Sequence, residues 1–468
     1  MIFSSFEFFV FLGLVLAILS QVRDEGARRN VLLVVSYLFY GWWDWRFCFL
    51  RFGTTLIDYL VARRIETASA PRRRRAWLLA SLISNLGVLV IFKYMNFFIG
   101  SLAPLLQSAG IEVPHLKIIL PVGISFFTFQ SMSYVIDVYR GSLRATRNLR
   151  DFTLFVAFFP QLVAGPIVRG SEFLPQMDYF HPLKRSNLQA GMETFIRGFT
   201  KKALFADTLA VYVDPVFAHP AAYASLTCWL AVTAYAAQIY YDFSGYTDMA
   251  IGLGRMLGFE FPVNFRHPCR SLNITEFWRR WHITLSSWLR DYLYIPLGGN
   301  RSGRARTYVN LMATMLLGGL WHGASWTFVV WGALHGVALA VHKFFTERRG
   351  PSRAGEGGLP QALLSWAGTF VFVLITWVFF RSSDFDTARV MLSKMAFFDP
   401  SGVRWYHVQA ITVLVLAVLL HVSAVLRGDR SPRLDLGRPL AWSGLAALLL
   451  VILLFAPFGS NPFIYFQF

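Results

Sequence analysis

Charged residues and cysteines are both scarce in this sequence. Only 15% of its 468 residues are charged, whereas a soluble domain is typically about one quarter charged. The three cysteines, Cys48, Cys228 and Cys269, lie far apart, so they offer neither a disulfide framework nor a metal-binding pair. The shortage of charge argues against a soluble protein. The shortage of cysteine excludes a secreted disulfide scaffold and a cysteine-ligated zinc site.

Familiar catalytic motifs and acidic residues are also lacking. The chain has no G-x-S-x-G elbow, Walker A loop or H-E-x-x-H, which disfavours a serine hydrolase, a P-loop ATPase and a zincin. Its 26 acidic residues stand against 44 basic ones, giving a net charge of +18. In a soluble chain this surplus would indicate nucleic acid. Here the basic residues cluster between apolar runs, as in cytoplasmic loops of membrane proteins, so no nucleic-acid partner is expected.

Apolar runs recur along nearly the whole chain, which is 55% hydrophobic. A helix needs about 20 apolar residues to cross a hydrocarbon core of roughly 30 Å. Candidate spans lie at residues 2–19, 31–41, 47–61, 76–98, 119–138, 203–217, 223–241, 308–321, 327–341, 362–380, 408–426 and 440–455. The sequence therefore predicts an all-α, polytopic membrane protein with about twelve spans in a single domain over residues 1–468.

Lys and Arg are distributed unevenly between the connecting loops. They follow the first, third and fifth runs, at Arg23, Arg28, Arg29, Arg63, Arg64, residues 72–75, Arg140, Arg144, Arg147 and Arg150. Residues 100–114, between the fourth and fifth runs, contain none. Because cytoplasmic loops carry the excess of positive charge, the N-terminus is predicted to lie outside.

Three segments do not fit simple spans. Residues 151–168 are apolar but are flanked by basic residues on both sides and contain Pro160 and Pro166, so we expect a re-entrant element that walls a cavity. Residues 187–205 are amphipathic and predict a helix in the cytoplasmic interface. Residues 255–306 combine arginines with aromatic residues and predict a cytoplasmic-side layer.

Two histidines are the main candidates for chemistry. His322 ends an apolar run beside Gly319 and Gly323, and glycines there would admit another backbone or a ligand. An ionisable group within a span is a functional hypothesis by default, and imidazole is a suitable general base. His282 follows Arg279 and Arg280, so we expect it near the cytoplasmic side and His322 deeper, as in a conduit with one substrate entering from each face.

Other polar residues are weaker candidates. Asp242 and Asp248 end a span and would either pair with arginines of the 255–306 layer or orient a histidine. His335 and His342 are seven residues apart and share a helix face, where they would pack helices or line the same cavity. No metal site is predicted, because histidines at different depths suit converging metal ligands poorly.

Several motifs together resemble the membrane-bound O-acyltransferase family, in its bacterial alginate O-acetyltransferase branch. The most specific are WHITLSSWLRDYLYIPLGGN at 281–300 and GLWHGASW at 319–326. Supporting motifs are YDFSGY at 241–246, FPQLVAGPI at 159–167 and PFIYFQF at 462–468. The resemblance implies a helical ring with re-entrant elements around a central conduit.

The resemblance also implies site residues and substrates. His322 matches the family's membrane-embedded catalytic histidine, and His282 matches its second histidine. The substrate-binding candidates are Trp321, Trp281, Arg279, Arg280, Asp242 and Ser244. The implied donor is acetyl-coenzyme A or an acylated carrier protein, with no tightly bound cofactor. A periplasmic acetyltransferase or acceptor protein would be the partner, beside membrane lipid, at the bacterial inner membrane with a periplasmic N-terminus.

Two other functions remain open from the sequence. Polar residues at membrane depth and a broken helix also suit a transporter or flippase that moves an acyl carrier or a glycan without bond chemistry. The lack of a visible inverted repeat weighs against this reading. A purely structural subunit for a periplasmic enzyme would leave the buried histidine unexplained.

Overall fold

The computed structural model describes residues 1–112, 116–179, 182–349, 358–426, 439–455 and 463–464. Within these ranges the chain forms nineteen α-helices and no β-strand. One isolated bridge, between Tyr223 and Val403, is the sole strand-like pairing in the described residues. The prediction of an all-α chain is confirmed.

The first of two compact units comprises Met1–Met192 and Met249–Pro262. Most of its helices follow one another along the chain with short connections between them. They are α1 (Phe6–Gln21), α2 (Glu25–Asp44), α3 (Arg46–Thr67), α4 (Pro71–Leu89), α5 (Met95–Ser108), α6 (Ile124–Arg140), α7 (Leu149–Ala157), α8 (Gly170–Phe173) and the start of α9 (Arg185–Thr200).

The second unit comprises Glu193–Asp248 and Val263–Phe468. Its helices are α10 (Asp207–Ala218), most of α11 (Ser225–Met256), α12 (Ile274–Arg280), α13 (Ile283–Leu289), α14 (Arg304–His322), α15 (Trp326–Arg349), α16 (Gly358–Arg381), α17 (Phe385–Phe397), α18 (Val408–Leu426) and α19 (Pro439–Phe455). Both candidate histidines belong to this unit. The prediction of a single domain over the whole chain stays a prediction, as does the ring around a conduit.

Each of the twelve predicted apolar runs lies largely within a helix. In the described ranges, three helical stretches are long and apolar enough to cross a membrane by length and composition. They are Pro71–Ser108, Trp326–Arg348 and Gly358–Arg381, and shorter apolar helices occur at Phe6–Gln21, Val408–Ala424 and Ser443–Ile452. The count of twelve spans stays a prediction.

The segment predicted to be re-entrant begins as a helix and then breaks. α7 ends at Ala157, and residues 158–168 continue as buried, non-helical backbone. The Gln161 side chain donates to the carbonyl of Phe155 at 2.7 Å, and the N–H of Phe159 donates to Ser36 Oγ at 3.2 Å. The non-helical residues 158–168 thus form hydrogen bonds with other residues of the first unit. Its depth in a membrane and its role as a cavity wall stay predictions.

The other two atypical segments are also helical in part. α9 covers most of the predicted interfacial helix and continues into α10 through a π-helical turn at Lys201–Ala206. Residues 255–306 hold two short helices, α12 and α13, followed by a π-helical turn at Arg290–Tyr294. Single π-turns of this kind are frequent near functional sites. Residues 350–357 lie outside the described residues.

Candidate active site

α12 and α13 bring His282 into the interior of the second unit. The Asn273 side chain caps the N-terminus of α12, where it accepts a hydrogen bond from the backbone N–H of Glu276 at 2.8 Å. The helix ends at Arg280, Trp281 is extended, and His282 takes a left-handed backbone with φ of 42°. A non-glycine residue held this way costs about 1–3 kcal/mol, and such strain clusters at functional sites. The reversal buries His282 completely.

Asn264 fixes the orientation of the His282 ring. Its Oδ1 atom lies 3.1 Å from His282 Nδ1. The same oxygen accepts the backbone N–H of Thr284 at 3.1 Å and the Thr284 hydroxyl at 2.9 Å. A backbone N–H can only donate, so the atom facing it must be the amide oxygen, and His282 Nδ1 must therefore carry a hydrogen. The basic lone pair of this imidazole is consequently on Nε2.

Burial keeps the His282 ring neutral. Desolvation lowers the pKa of His282 to about 3, because a charged imidazolium is unfavourable away from water. Near pH 7 the side chain is thus an uncharged imidazole held in one tautomer, which is the form that accepts a proton.

His322 is the last residue of α14 and is enclosed by aromatic rings. Its ring centroid lies 4.9 Å from Trp321, 5.1 Å from Trp331 and 5.2 Å from Phe380. These residues come from α14, α15 and α16, and His322 itself is buried. Three helices therefore hold one imidazole in a largely apolar cage.

Glycines bring α14 and α15 together at this point. A Cβ atom on Gly319 would lie against the carbonyl oxygen of Phe328, and one on Gly332 would lie against that of Met315. Small residues permit this backbone approach between membrane helices. The sequence predicted that the glycines near His322 admit either another backbone or a ligand. At Gly319 the structure shows the backbone of α15.

Trp321 connects the two histidines. Its ring centroid lies 6.0 Å from His282 and 4.9 Å from His322, so the two imidazoles cannot be farther apart than the sum of these distances. Both lie at the C-terminal end of α14, opposite Arg304. The expectation that His282 lies near the cytoplasmic side, with His322 deeper, stays a prediction.

His335 and His342 serve packing rather than this cluster. Trp278 Nε1 donates to His335 Nδ1 at 3.3 Å, and His335 Nε2 lies 3.2 Å from Thr376 Oγ1. His335 therefore ties α12, α15 and α16 together. His342 Nδ1 lies 2.9 Å from Thr275 Oγ1, which joins α15 to α12.

The acidic residues of α11 pair with lysines and not with arginines of the 255–306 layer. Lys202 Nζ lies 2.6 Å from Asp242 Oδ1 and 2.8 Å from Asp207 Oδ1, and all three are buried. Lys201 Nζ lies 2.7 Å from Asp248 Oδ2. The prediction that Asp242 and Asp248 pair with arginines is thus wrong. The other prediction was that one of these carboxylates orients a histidine, but the residue that orients His282 is Asn264. A substrate-binding role for Asp242 stays a prediction.

Two further predicted site residues are buried in the same unit. Trp281 stacks on Phe277 at 5.7 Å and lies 5.1 Å from Trp377. Ser244 is buried on α11 one turn after Tyr240. In the described part of the chain, no hydrogen bond joins Ser244 to either histidine. Their roles in substrate binding stay predictions.

Arg279 and Arg280 line a large open cavity. Arg280 pairs with Glu276 at 2.8 Å and donates to the carbonyl of Arg266 at 3.2 Å. The cavity has a volume of 940 Å³. Its basic side chains are Arg266, Arg270, Arg279, Arg280 and Lys343. We call it the basic cavity, and the binding of an anionic partner by Arg279 and Arg280 stays a prediction.

The sequence did not single out Asn264 or Phe243. Phe243 lies edge-on to His282 at 4.6 Å and contacts Phe463 at 5.6 Å. The backbone N–H of Ile464 donates to Asp242 Oδ2 at 2.8 Å. The C-terminal motif therefore reaches α11 at residues 463–464, and its other residues lie outside the described ranges. The only sequence feature that could have drawn attention to Asn264 is its position as a polar residue between the apolar Val263 and Phe265.

Metal ligands do not converge in the described ranges. No group of three or more His, Cys, Asp or Glu side chains there could hold a metal ion. The chemistry available to this site from the chain itself is that of two imidazoles, one of them neutral and fixed by an amide, surrounded by aromatic rings.

Comparison with known proteins identifies the class. Residues 140–383 match the model of MBOAT, the membrane-bound O-acyltransferase family. The chain is 41% identical to the probable alginate O-acetylase of Pseudomonas putida, with the whole of both chains covered. It is 46% identical to that of Pseudomonas aeruginosa over 84% of this chain and 75% of the relative. It is 38% identical to the peptidoglycan O-acetyltransferase of Helicobacter pylori over 78% and 73%.

The chain belongs to the membrane-bound O-acyltransferase family. It is accordingly a multi-pass membrane protein and an O-acyltransferase. The matched region contains His282, Asn264 and His322, so the cluster built from α12 to α16 lies within the part of the chain that defines the family.

Proposed function

We propose that this protein takes an acetyl group from a cytoplasmic thioester, acetyl-coenzyme A, and passes it across the membrane for O-acetylation of an exported polysaccharide such as alginate. The names of the relatives, which refer to alginate and peptidoglycan O-acetylation, support an acetyl group and a polysaccharide. The observation that carries the proposal is the neutral His282, oriented by Asn264 and joined through Trp321 to His322.

His322 is the proposed general base. The acceptor hydroxyl oxygen attacks the thioester carbonyl, and His322 takes the hydroxyl proton. The C–S bond then breaks, and the proton passes to the leaving thiolate, so the products are an ester and a thiol. Positioned base catalysis typically contributes about 10²–10⁴-fold. His282 is the second proposed catalytic residue, with its basic lone pair on Nε2 because Nδ1 faces Asn264 Oδ1.

Arg279 and Arg280 are proposed to meet the donor. Arginine binds phosphate through paired N–H donors, so the phosphates of coenzyme A fit their side of the basic cavity. An acylated carrier protein would offer the same phosphopantetheine thioester and an acidic surface. Trp321, Trp281, Asp242 and Ser244 are the proposed substrate-binding residues deeper in the second unit.

The proposed setting is the inner membrane of a bacterium with the N-terminus in the periplasm. The arginine-rich loops after α1, α3 and α6 support this orientation. A chain that delivers acetyl groups outward needs a periplasmic acetyltransferase or acceptor protein to complete transfer to the sugar. No tightly bound cofactor is required, because the thioester itself supplies an activated acyl group.

The test uses protein purified in nanodiscs with radiolabelled acetyl-coenzyme A, with and without periplasmic extract as acceptor. Wild type should release free thiol and transfer label, while His322→Ala should lose about 10²–10⁴-fold of this rate. If donor turnover persists in purified His322→Ala, the assignment of the base is wrong. If wild type is inert with acetyl-coenzyme A but turns over an acetylated carrier protein, the donor assignment is wrong.

Two histidine variants provide matched controls. His219→Ala removes an exposed histidine outside the cluster and should leave turnover unchanged. His335→Ala removes a buried histidine that bridges three helices. It should lower the unfolding temperature, and its remaining folded fraction should keep wild-type turnover, which separates loss of fold from loss of chemistry.

A further inference from the structure

Trp331 lies beside His322 in the aromatic cage. The centroids of the two rings are 5.1 Å apart, and the ring planes are nearly perpendicular, at 84°. Trp331 belongs to the second turn of α15, and His322 is the last residue of α14. Both residues therefore lie at the same end of this helix pair, and both are buried.

The indole N–H of Trp331 has no acceptor among the residues that the structure describes. The side chain is fully buried, with 0% exposure, and its Nε1 atom has no hydrogen-bond partner there. Buried N–H groups in native proteins nearly always have an acceptor, and each exception calls for an explanation. An indole N–H can only donate, so the group that it suits is an acceptor oxygen close to His322.

His335 cannot supply this acceptor, although its ring centroid lies 4.6 Å from that of Trp331. Trp278 Nε1 donates to His335 Nδ1 at 3.3 Å, so the lone pair on that nitrogen is already used. The hydrogen of the ring is then on Nε2, which lies 3.2 Å from Thr376 Oγ1. Neither nitrogen of His335 keeps a lone pair for Trp331.

The reaction proposed above brings an acceptor oxygen to this place. A general base lies about 2.6–3.2 Å from the hydroxyl oxygen that it deprotonates, and that oxygen approaches the reacting carbon to about 3–3.5 Å. The carbonyl under attack would thus lie within about 7 Å of a His322 ring nitrogen. The indole of Trp331 falls within that range.

The position of Trp331 is fixed by its neighbours. A Cβ atom on the adjacent Gly332 would lie against the carbonyl oxygen of Met315, so α15 contacts the backbone of α14 at this turn. The Trp331 ring also packs against Phe380 at 5.4 Å and Trp377 at 6.1 Å on α16. A donor held this way needs no reorganisation when charge develops beside it.

We propose that Trp331 is the oxyanion donor of acyl transfer, with its Nε1–H donating a hydrogen bond to the carbonyl oxygen of the acetyl thioester. When the acceptor hydroxyl attacks and His322 takes its proton, negative charge develops on that carbonyl oxygen. The C=O bond re-forms as the C–S bond breaks, and the proton passes from His322 to the thiolate. Trp331 keeps its own proton throughout. This role rests on the function proposed above.

The test compares Trp331→Phe with Trp278→Phe in nanodiscs, with acetyl-coenzyme A as donor or, if wild type requires it, an acetylated carrier protein. Both changes replace an indole by a smaller ring, but only Trp278 Nε1 has a partner within the protein, His335. Trp331→Phe should lower kcat about 10²-fold, as loss of one oxyanion donor does, and leave KM for the donor unchanged. Trp278→Phe should keep the wild-type kcat but lower the unfolding temperature further, because it alone loses a hydrogen bond.

Two further measurements separate the N–H from the shape of the ring. Benzothienylalanine at position 331 keeps the bicyclic ring with sulfur in place of N–H, and it should lower kcat as much as Trp331→Phe. Isotope-edited infrared spectra report the carbonyl stretch of the bound, carbonyl-labelled donor. This stretch should lie at a higher frequency in both Trp331 variants than in wild type, because a hydrogen bond to the oxygen weakens the C=O bond.

The outcomes distinguish this inference from the proposed function. Wild-type kcat in either Trp331 variant, or an unchanged carbonyl stretch, would overturn the role of Trp331 and leave acyl transfer standing. Equal losses of kcat in Trp331→Phe and Trp278→Phe would assign the effect to packing and overturn the role as well. A wild type that cleaves neither donor would overturn the proposed function, and the oxyanion donor with it.

Discussion

Asn264 Oδ1 lies 3.1 Å from His282 Nδ1, and this single contact decides which nitrogen of the histidine is basic. The two residues are 18 positions apart, on either side of α12. Because Thr284 donates twice to the same oxygen, the amide cannot rotate without losing those bonds. Asn264 is therefore a positioning residue, and its effect should be visible in how activity depends on pH.

Asn264→Ala should lower the rate of acetyl transfer about 10- to 100-fold, as loss of a histidine's orienting partner does in other sites. Asn264→Asp places an anion beside the ring and should raise the pKa of His282. The rate of this variant should then fall at low pH through a new ionisation that wild type lacks. The measurement is the initial rate against pH for both variants.

Thr284→Val is the matched control for Asn264. It removes the hydroxyl donor but keeps the backbone N–H that orients the amide, so it should cost about 1 kcal/mol of stability and leave the pH profile unchanged. A pH profile for Asn264→Asp that superimposes on wild type would show that Asn264 has a structural role only.

The buried His282 should make the protein less stable in mild acid. Its pKa of about 3 in the folded protein lies below the unfolded value near 6.5. Between these values the unfolded chain binds a proton that the folded chain does not, so stability is lost as pH falls below about 6.5. Wild type should lose up to about 1.4 kcal/mol per pH unit more than His282→Gln between pH 6 and 5.

The measurement is the unfolding free energy in detergent at several pH values, with wild type and His282→Gln compared at each. Other buried groups contribute equally to both proteins, so the difference in slope isolates His282. Parallel curves would mean that His282 is accessible to water or already protonated in the folded state.

The lysine bound to two carboxylates gives a stability prediction. Lys202→Met should destabilise the protein by about 3–5 kcal/mol, because it leaves Asp207 and Asp242 buried without a counter-charge. Lys202→Met/Asp207→Asn/Asp242→Asn should recover most of this loss, since no uncompensated charge remains. Thermal unfolding in detergent measures both variants.

Lys201→Met serves as the comparison, because the Lys201–Asp248 pair is partly solvent-exposed, at 21% and 23%. Its loss should cost only about 0–1 kcal/mol. Similar losses for Lys201→Met and Lys202→Met would show that burial does not set the strength of these pairs.

Features governed by local pattern were predictable from the sequence. The length and composition of the apolar runs predicted the helices, and the glycines near His322 predicted a close approach, which α15 provides at Gly319. The two histidines were recognisable because polar residues in apolar or aromatic surroundings are rare and costly.

Features governed by distant contacts were not predictable. Asn264 reaches His282 only because α12 reverses the chain between them, and Lys202 meets Asp242 from 40 positions away. His282 likewise reaches its buried position through two short helices joined by a strained residue, a path that no local sequence pattern indicates.

The tight pairing of α14 and α15 has a consequence for how this protein is made. Three residues, 323–325, join the two helices, so the pair can leave the translocation machinery as one hairpin. His322 would then enter the bilayer at the tip, already shielded by Trp331 from the following helix. We expect that a separated α14, with its histidine facing lipid alone, would insert far less readily than the hairpin.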